Sequence, residues 1–346
     1  MPHTRPTRAL VIGSTGFLGR RVVAELDARS DVEVVAACRG PRLLPAHLQA
    51  SARVGDLRDP AYVARLFNGV DVVCLTAAWS ALYGHSRESA EFYLQPLSRV
   101  LEAATAAGVP RVVMTSALQA KAASSSRFRA VRERMDSVWP HFANLQRLET
   151  LMQTLASPRT SMVSVRLGTF CGEGQRLGIL PVLLPRLQQR VVPWIDAGQA
   201  VLPLIDGADA ARAFASAALG PIERPFETLE ATGPAVPTFS ELVHYLHDEF
   251  DVPLPRFSVP GALAFGFGHA AEMFARLTRT TPLLTRSIVF LAEPCQEDRS
   301  SWAGWSYQPR VHWRESVAQQ VRDLQRKSLP IRMADPITPL VQGATT

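Results

Sequence analysis

Three glycines at intervals of three residues, Gly13, Gly16 and Gly19, form a candidate phosphate-binding turn. They follow the apolar run 9–12 and open the helix-like segment 16–29, so a strand, a turn and a helix N-terminus stand in that order. Backbone N–H groups at a helix N-terminus bind phosphate, and glycine has no Cβ to keep the phosphate away. An ordinary tight turn is the alternative, but the flanking strand and helix favour a pyrophosphate site. The expected contacts are Gly13, Thr15, Gly16, Phe17, Leu18 and Gly19.

The end of the second predicted strand (32–37) indicates which dinucleotide binds at this turn. An acidic residue there would bond the ribose 2′-hydroxyl of NAD, whereas an arginine accommodates the 2′-phosphate of NADP. Here the strand runs through Cys38 into Arg39, Arg42 follows, and no carboxylate lies nearby. A guanidinium binds phosphate oxygens in a bidentate manner and stays charged. We therefore expect NADP(H) as the cofactor, with Arg39 on the 2′-phosphate.

The glycine turn, with Thr15 before Gly16 and Phe17 after it, resembles the TGxxGxxG turn of the extended short-chain dehydrogenase/reductase superfamily. This superfamily includes nucleotide-sugar epimerases, dihydroflavonol reductases and 3β-hydroxysteroid dehydrogenases. The resemblance implies a Rossmann-type fold, an NAD(P) cofactor and a small-molecule substrate, without naming that substrate.

Three further segments are similar to the cofactor site of this superfamily. Gly55-Asp56-Leu57 resembles its G-D-L/V step, where the carboxylate meets the adenine amino group. Residues 74–78 resemble the small-residue end of the fourth strand, and residues 165–174 resemble the loop beside the nicotinamide. In that loop Leu167 and Cys171 replace a proline and a tyrosine. The resemblance adds these cofactor contacts: Asp56, Leu57, Ala77, Ala78 and Leu167.

The resemblance also implies a catalytic tyrosine and, four residues later, a lysine that lowers the pKa of the phenol. In the superfamily this pair lies on the helix after the fifth strand, with a glutamate four residues past the lysine. Anchored on Glu149, the tyrosine position holds His141 and the lysine position holds Leu145. No tyrosine occurs between Tyr93 and Tyr245, so the pair is absent in any register.

Three residues are candidates for the missing proton donor. An imidazole titrates near neutrality without help from a lysine, so His141 is expected to have a pKa of about 6.5. The alternative is a histidine that merely flanks a helix after Pro140. Ser116 matches the serine of the superfamily's catalytic set in one register, whereas another register places Ala117 there. Tyr83 lies on the loop after the fourth strand, which approaches the substrate in this superfamily.

Three functions remain open from the sequence. The favoured one is an atypical NADP(H)-dependent oxidoreductase acting on a small, hydrophobic carbonyl, alcohol or enone. A non-redox isomerase, cyclase or dehydratase on the same fold is the alternative, and a non-catalytic NADP(H) sensor is the third. A hydrophobic substrate is favoured because Trp79, Tyr83 and His85 would form an aromatic wall. Only two of the 37 basic residues are lysines, which indicates a GC-rich bacterial genome and favours a role in secondary metabolism.

Alternating strand-like and helix-like segments predict a Rossmann-type doubly wound parallel sheet in an α/β fold. The mixed second half predicts a smaller C-terminal substrate lobe. The predicted core covers 1–175 with a returning segment at about 200–232, the lobe covers 176–200 and 233–328, and a disordered tail covers 329–346. Predicted strands are 9–12, 32–37, 52–54, 70–75, 112–115, 161–166, 201–205, 226–231 and 256–259. Predicted helices are 16–29, 59–68, 88–107, 140–156, 208–219, 238–250, 262–277, 283–293 and 312–326.

Composition narrows the classes of partner and compartment. The 346 residues are 47% hydrophobic and 20% charged, as in soluble globular proteins. The net charge of +6 comes from scattered residues, so no nucleic acid is expected. Four distant cysteines lack metal-ligand spacing, so we expect no metal site and a reducing cytoplasm. We expect no signal peptide and no membrane span, and a homodimer stays open.

Overall fold

The computed structural model describes residues 5–120, 134–278, 280, 282, 284–291 and 297–326. Its strands are β1 (Thr7–Ile12), β2 (Val32–Cys38), β3 (Arg53–Val54), β4 (Val72–Leu75), β5 (Arg111–Ala117), β6 (Ser161–Leu167), β7 (Thr169–Cys171), β8 (Trp194–Ile195), β9 (Leu204–Asp206), β10 (Phe226–Ala231) and β11 (Ser258–Val259). Its α-helices are α1 (Gly19–Asp27), α2 (Ala46–Gln49), α3 (Pro60–Ala64), α4 (Ser86–Ser89), α5 (Gln95–Ala106), α6 (Met135–Val138), α7 (Pro140–Leu155), α8 (Ile179–Gln188), α9 (Gly207–Leu219), α10 (Phe239–Phe250), α11 (Gly261–Thr278), α12 (Arg286–Leu291) and α13 (Trp313–Arg326).

Seven strands form one parallel sheet in the order β10-β6-β5-β4-β1-β2-β3. At its centre, Ile12 of β1 lies opposite Ala37 of β2 and Leu75 of β4. Two parallel pairs, β7 with β9 and β8 with β11, lie outside this sheet. The arrangement confirms the predicted doubly wound α/β fold, with smaller sheets added to it.

Both faces of the central sheet are buried, which explains its apolar strands. Along β1, Ala9 and Val11 point into a core shared with α1 and α9, and Leu10 and Ile12 point into a core shared with α5 and α7. A strand covered by helices on both faces has no solvent-facing positions, so it reads as a continuous apolar run. A third core cluster joins α8, α10 and α13.

The second half contains one helix that the sequence analysis does not predict. Helix α8 carries Pro181 in its first turn, where no hydrogen bond is lost, and Pro185 in its interior, where proline removes a hydrogen bond and crowds the preceding turn. Leu180, Leu183 and Leu187 nevertheless recur at helical spacing and are buried in the third core cluster. Tertiary packing therefore outweighs the local preference. The predicted tail at 329–346 lies outside the described residues.

Candidate cofactor and active site

The candidate site lies at the carboxyl ends of β1 and β4, in the middle of the sheet. The chain leaves β1 toward β2 on one side and later returns to β4 on the other. Ligands of open α/β sheets bind at such a reversal of strand order, because the connections diverge and leave a crevice. The glycine turn follows β1 directly and therefore lines this crevice.

The three glycines are required for different reasons. Gly13 has φ of +84°, and a Cβ there would lie 2.7 Å from the Ala77 nitrogen. A Cβ on Gly19 would overlap the Gly13 carbonyl oxygen and come within 2.7 Å of Thr76 Oγ1. By contrast, a Cβ on Gly16 would meet only the Gly13 oxygen, at 3.2 Å. Gly13 and Gly19 therefore allow the close packing of turn, strand and helix, whereas Gly16 faces open space on an exposed turn.

Within the described residues, backbone N–H groups of this turn lack a backbone hydrogen-bond acceptor. Helix α1 begins without a side-chain cap, and within the described part of the chain neither the Phe17 nor the Leu18 N–H donates a backbone hydrogen bond. Helix N-termini with such donors and glycine at the approach accept phosphate. The turn, including Thr15, therefore stays a candidate for the pyrophosphate of NAD(P).

The side chain of Phe17 packs away from this crevice. Its ring lies 5.6 Å from that of Phe170 and 4.0 Å below the Arg21 guanidinium. Arg21 also donates to the carbonyl oxygens of Phe17, at 2.8 Å, and Glu173, at 2.6 Å. Burial lowers the pKa of Arg21. These contacts fasten the glycine turn to the loop after β6, so Phe17 can serve a cofactor only through its backbone.

The adenosine end of the crevice brings together Arg39 and Asp56. Arg39 is exposed directly after β2, and its charge helps to lower the pKa of Asp56. The principal cause of that lowered pKa is Arg58, which donates to the Asp56 carboxylate at 2.7 Å. Leu57 is half-buried beside them. The Asp56 carboxylate is thus already held by a neighbour, Arg58.

The remaining predicted cofactor contacts lie at the ends of β4 and β6. Ala77 is half-buried against Gly13, and Ala78 is exposed one residue further along the chain. Leu167 is buried at the end of β6, in register with Ala117 of β5. These residues line the same edge of the sheet.

The candidate catalytic residues Ser116 and His141 are both buried with an unpaired polar atom. Ser116 Oγ, near the end of β5, and His141 Nδ1, in the first turn of α7, have no hydrogen-bond partner within the described residues. Native proteins pair most buried polar atoms, so two such atoms at one end of a sheet are candidates for ligand contacts.

The surroundings of His141 are aromatic. Its ring lies 4.6 Å from that of Tyr93 and 5.8 Å from that of Trp79. Burial lowers the pKa of His141 to about 4, because the imidazolium would lose its hydration. The expectation of a pKa of about 6.5 is therefore wrong, and His141 is neutral at pH 7.

Tyr93 is the residue of this site that the sequence analysis does not single out. It lies in a π-helical turn, Ala90–Leu94, and burial together with Glu149 raises the pKa of its phenol. Such turns insert an extra residue into a helix and occur often at functional sites. The sequence between 88 and 107 reads as one regular helix, so no local signal marks Tyr93.

Tyr83 lies on a loop that is fastened from two sides. The neighbouring carbonyl oxygens of Ala81 and Leu82 accept hydrogen bonds from Trp139 Nε1, at 2.7 Å, and from Ser287 Oγ. Tyr83 is half-buried, and its ring packs edge-on against that of His85, at 6.2 Å. It is Trp79 of this loop, rather than Tyr83, whose ring packs on His141.

The residues at the lysine and glutamate positions of the superfamily pattern are buried and make packing and ion-pair contacts here. Leu145 is buried one turn after His141 and carries no charge. Glu149 accepts hydrogen bonds from Ser164 Oγ, at 2.6 Å, and from Arg166 Nε, at 3.0 Å. Arg166 also pairs with Glu230 at 3.5 Å. This buried network of hydrogen bonds and ion pairs joins α7, β6 and β10.

Metal and membrane features are absent from the parts of the chain that the structure describes. No group of three or more histidine, cysteine or acidic residues there could hold a metal ion. Cys38, Cys74 and Cys171 are buried free thiols, whereas Cys295 lies outside the described residues. Burial raises the pKa of Cys74 to about 12, so it is an inert core residue. Among the described helices, none is long and apolar enough to cross a bilayer.

The fold and the glycine cradle are typical of Rossmann-type dinucleotide-binding proteins. Residues 13–157 match a family described as NAD(P)H-binding. The 3β-hydroxysteroid dehydrogenase/Δ5→4-isomerase of Mycobacterium tuberculosis is 34% identical over 116 residues, which are 32% of this chain and 31% of the relative. A 3β-hydroxysteroid dehydrogenase of Mycolicibacterium neoaurum is 34% identical over 116 residues, again 31% of its length. The aligned region thus spans about a third of these curated relatives.

Solved structures share the fold over nearly the whole chain. MoeE5 in complex with UDP-glucuronic acid and NAD has a TM-score of 0.66 at 20% identity, covering 92% of this chain and 99% of the other. A UDP-glucuronic acid 4-epimerase from Bacillus cereus has a TM-score of 0.65 at 17% identity, with coverages of 92% and 99%. At 20% identity or less, these structures show that the chain shares their fold.

Proposed function

We propose that this protein is an atypical NADP(H)-dependent oxidoreductase in which neutral His141, with Ser116, replaces the tyrosine of its superfamily. Its substrate is a small, hydrophobic carbonyl, alcohol or enone, in keeping with a cytoplasmic step of bacterial secondary metabolism. The observation that carries this proposal is the pair of buried atoms, Ser116 Oγ and His141 Nδ1, without a partner in the described protein.

Leaving a buried polar atom unpaired costs about 1–3 kcal/mol, so two of them at a candidate site call for a ligand. A substrate oxygen could accept from the Ser116 hydroxyl and from His141 in the tautomer that is protonated on Nδ1. When bound, NADP(H) supplies or accepts the hydride. Reduction of a carbonyl leaves charge on its oxygen, and two preset donors stabilise that charge.

The low pKa of His141 defines its chemical part. At pH 7 a group with a pKa of about 4 is neutral, so it acts as a hydrogen-bond donor rather than as an imidazolium acid. The final proton then reaches the substrate oxygen from Ser116, from water or from Tyr83 on the facing loop. The aromatic rings of Trp79 and Tyr93 keep water from the imidazole and favour an apolar substrate.

The NADP(H) assignment rests on Arg39. Its guanidinium lies at the end of β2, and no carboxylate occurs between it and Asp56. Asp56 is itself held by Arg58. An acidic group that would bond a free ribose 2′-hydroxyl is missing, so this surface favours a 2′-phosphate.

A non-redox isomerase, cyclase or dehydratase is the second candidate, because buried Leu145 stands where the superfamily has the lysine of its hydride-transfer pair. The M. tuberculosis relative carries an isomerase as well as a dehydrogenase in its name. A sensor that binds NADP(H) without chemistry is the third. One assay distinguishes both the non-redox enzyme and the sensor from the oxidoreductase.

The test follows NADPH absorbance and product formation with a panel of hydrophobic ketones and enones. His141→Ala should lower turnover roughly 10²–10⁴-fold while the Kd of NADPH stays unchanged, because His141 serves the substrate oxygen. His269→Ala, at an exposed histidine, is the matched control. Turnover of a substrate without any change in nicotinamide absorbance would reject the oxidoreductase in favour of the non-redox enzyme. Full turnover in His141→Ala would reject His141 and direct attention to Ser116 and Tyr83.

A further inference from the structure

Helix α11 exposes a row of large apolar side chains. Leu263, Phe267, Phe274 and Leu277, called the exposed stripe below, are 67%, 53%, 64% and 82% exposed. Their spacings of four, seven and three residues place them on one side of the helix. Isolated apolar residues are ordinary on a protein surface, but a continuous row of four along one helix marks an interaction site.

The buried side of α11 is lined by small residues instead. Gly261, Ala264, Gly268 and Ala275 are buried, and a Cβ on Gly268 would lie 3.2 Å from the Arg286 nitrogen. The helix therefore packs closely on α12 through its smallest side chains. A surface helix of a soluble domain normally turns its large apolar residues inward. In α11 this polarity is reversed, so the bulky face requires an apolar neighbour.

The exposed charges of the segment that carries the stripe are cationic, and one exposed carboxylate outside this segment, Asp196, accepts from the Gly261 N–H where α11 begins. Between 256 and 278 the sole acidic residue is Glu272, which is 1% exposed and paired with Arg286 at 2.7 Å. Arg256, just before the helix, and Arg276, in its last turn, are exposed. The outer surface of this segment is thus apolar with a cation near each end.

We propose that α11 lies in the plane of an anionic phospholipid surface, with the exposed stripe among the acyl chains and Arg256 and Arg276 at the headgroups. Its 18 residues extend about 27 Å, a length typical of interfacial helices. Cations at the ends of an apolar stripe complement anionic lipid. A symmetric second copy is the competing occupant of this face, and it would appear as a dimer in solution.

Docking through α11 would also hold the substrate side of the protein against the lipid. Helix α12, on which α11 packs, donates from Ser287 Oγ to Leu82 in the loop that carries Tyr83. The Arg286 guanidinium reaches the Ser137 carbonyl oxygen before α7, at 3.0 Å. This consequence rests on the proposed function, whereas binding of α11 to lipid does not.

The test is co-sedimentation of the purified full chain with phosphatidylcholine vesicles and with vesicles that also contain phosphatidylglycerol. The chain should bind the anionic vesicles preferentially, and Phe267→Ser/Phe274→Ser should weaken binding roughly 100-fold, because two rings lose their apolar environment. The matched control is Leu43→Ser/Ile222→Ser, at exposed apolar residues elsewhere. Arg256→Ser/Arg276→Ser should lower the preference for anionic vesicles about 30-fold.

The four substituted side chains on and before α11 are exposed, so the variants should keep the thermal unfolding curve of the parent, which checks their folding. Equal binding of the phenylalanine variant and the parent, or binding of neither to anionic vesicles, would overturn the proposal. A dimer seen by light scattering that dissociates in Phe267→Ser/Phe274→Ser would also overturn it, since the exposed stripe would then be a protein interface.

Discussion

Among single residues, His141 departs most from what its type suggests. Histidine is the side chain that ordinarily titrates near neutral pH, but here its ring is enclosed by Tyr93 and Trp79. Its pKa of about 4 comes from burial, which disfavours the charged form. Like the unpaired Ser116 Oγ, a neutral, buried imidazole suits stabilisation of a substrate oxygen better than acid catalysis.

The same burial predicts how the stability of the protein depends on pH. In the unfolded chain His141 binds its proton at about pH 6.5, whereas in the folded chain it does so only at about pH 4. The free energy of unfolding should therefore fall by on the order of 3 kcal/mol as the pH is lowered through this window. Below the window it should level off. His141→Phe should remove this contribution, as measured by urea unfolding at several pH values.

His269→Gln is the control, because the side chain of His269 is exposed to water in the folded chain as well as in the unfolded chain. An unchanged pH dependence in His141→Phe would show that the imidazole is hydrated in the folded state, and the description of a neutral donor would then fail.

Among the elements of the fold, the turn between β1 and α1 is the leading candidate for binding the cofactor. Gly13 and Gly19 leave room for Ala77 and Thr76 of the neighbouring strand end, so they serve the packing of the protein itself. Gly16 serves no such packing. Its backbone has no positive φ, and a Cβ there would meet a single atom.

This difference predicts opposite effects for two glycines in one turn. Gly16→Val should fold normally and lose NADPH binding, because its side chain fills space that a pyrophosphate needs. Gly19→Ala should instead lower stability, because its methyl group overlaps the Gly13 carbonyl. Circular dichroism with calorimetric titration separates the two. Retained NADPH binding in folded Gly16→Val would exclude the turn as the phosphate site.

At the scale of the whole molecule, cofactor preference is measurable as a difference in stability. A ligand that binds only the folded protein raises the free energy of unfolding by about 2.7 kcal/mol at 100 times its Kd. We expect NADPH to raise the melting temperature more than NADH at equal concentration. Arg39→Ser should reduce NADPH affinity roughly 10–100-fold, the loss of one charged phosphate contact, and abolish this difference.

Arg322→Ser, at an exposed arginine on α13, is the control for general loss of charge. Equal stabilisation of the parent protein by both nucleotides, or stronger stabilisation by NADH, would overturn the NADP(H) assignment while leaving the Rossmann-type fold unaffected.

The sequence by itself determines the central sheet and the phosphate turn, because both depend on local pattern. Apolar runs such as 9–12 and 161–166 reappear as β1 and β6, and the spacing of Gly13, Gly16 and Gly19 indicates their role directly. The absence of a tyrosine and lysine pair is likewise a property of the sequence alone.

Only the tertiary structure decides what surrounds each side chain. The pKa of His141 depends on Tyr93, which lies 48 positions earlier in the sequence (141 − 93) and reaches the imidazole through a π-helical turn. Helix α8 forms despite Pro185 in its interior because its leucines enter a core assembled from distant helices. The sequence of α11 likewise does not predict that its large apolar side chains are exposed, because an apolar helix has the same sequence pattern whichever of its faces is buried. Burial depends on contacts between segments far apart in the chain, and local periodicity carries no record of those contacts.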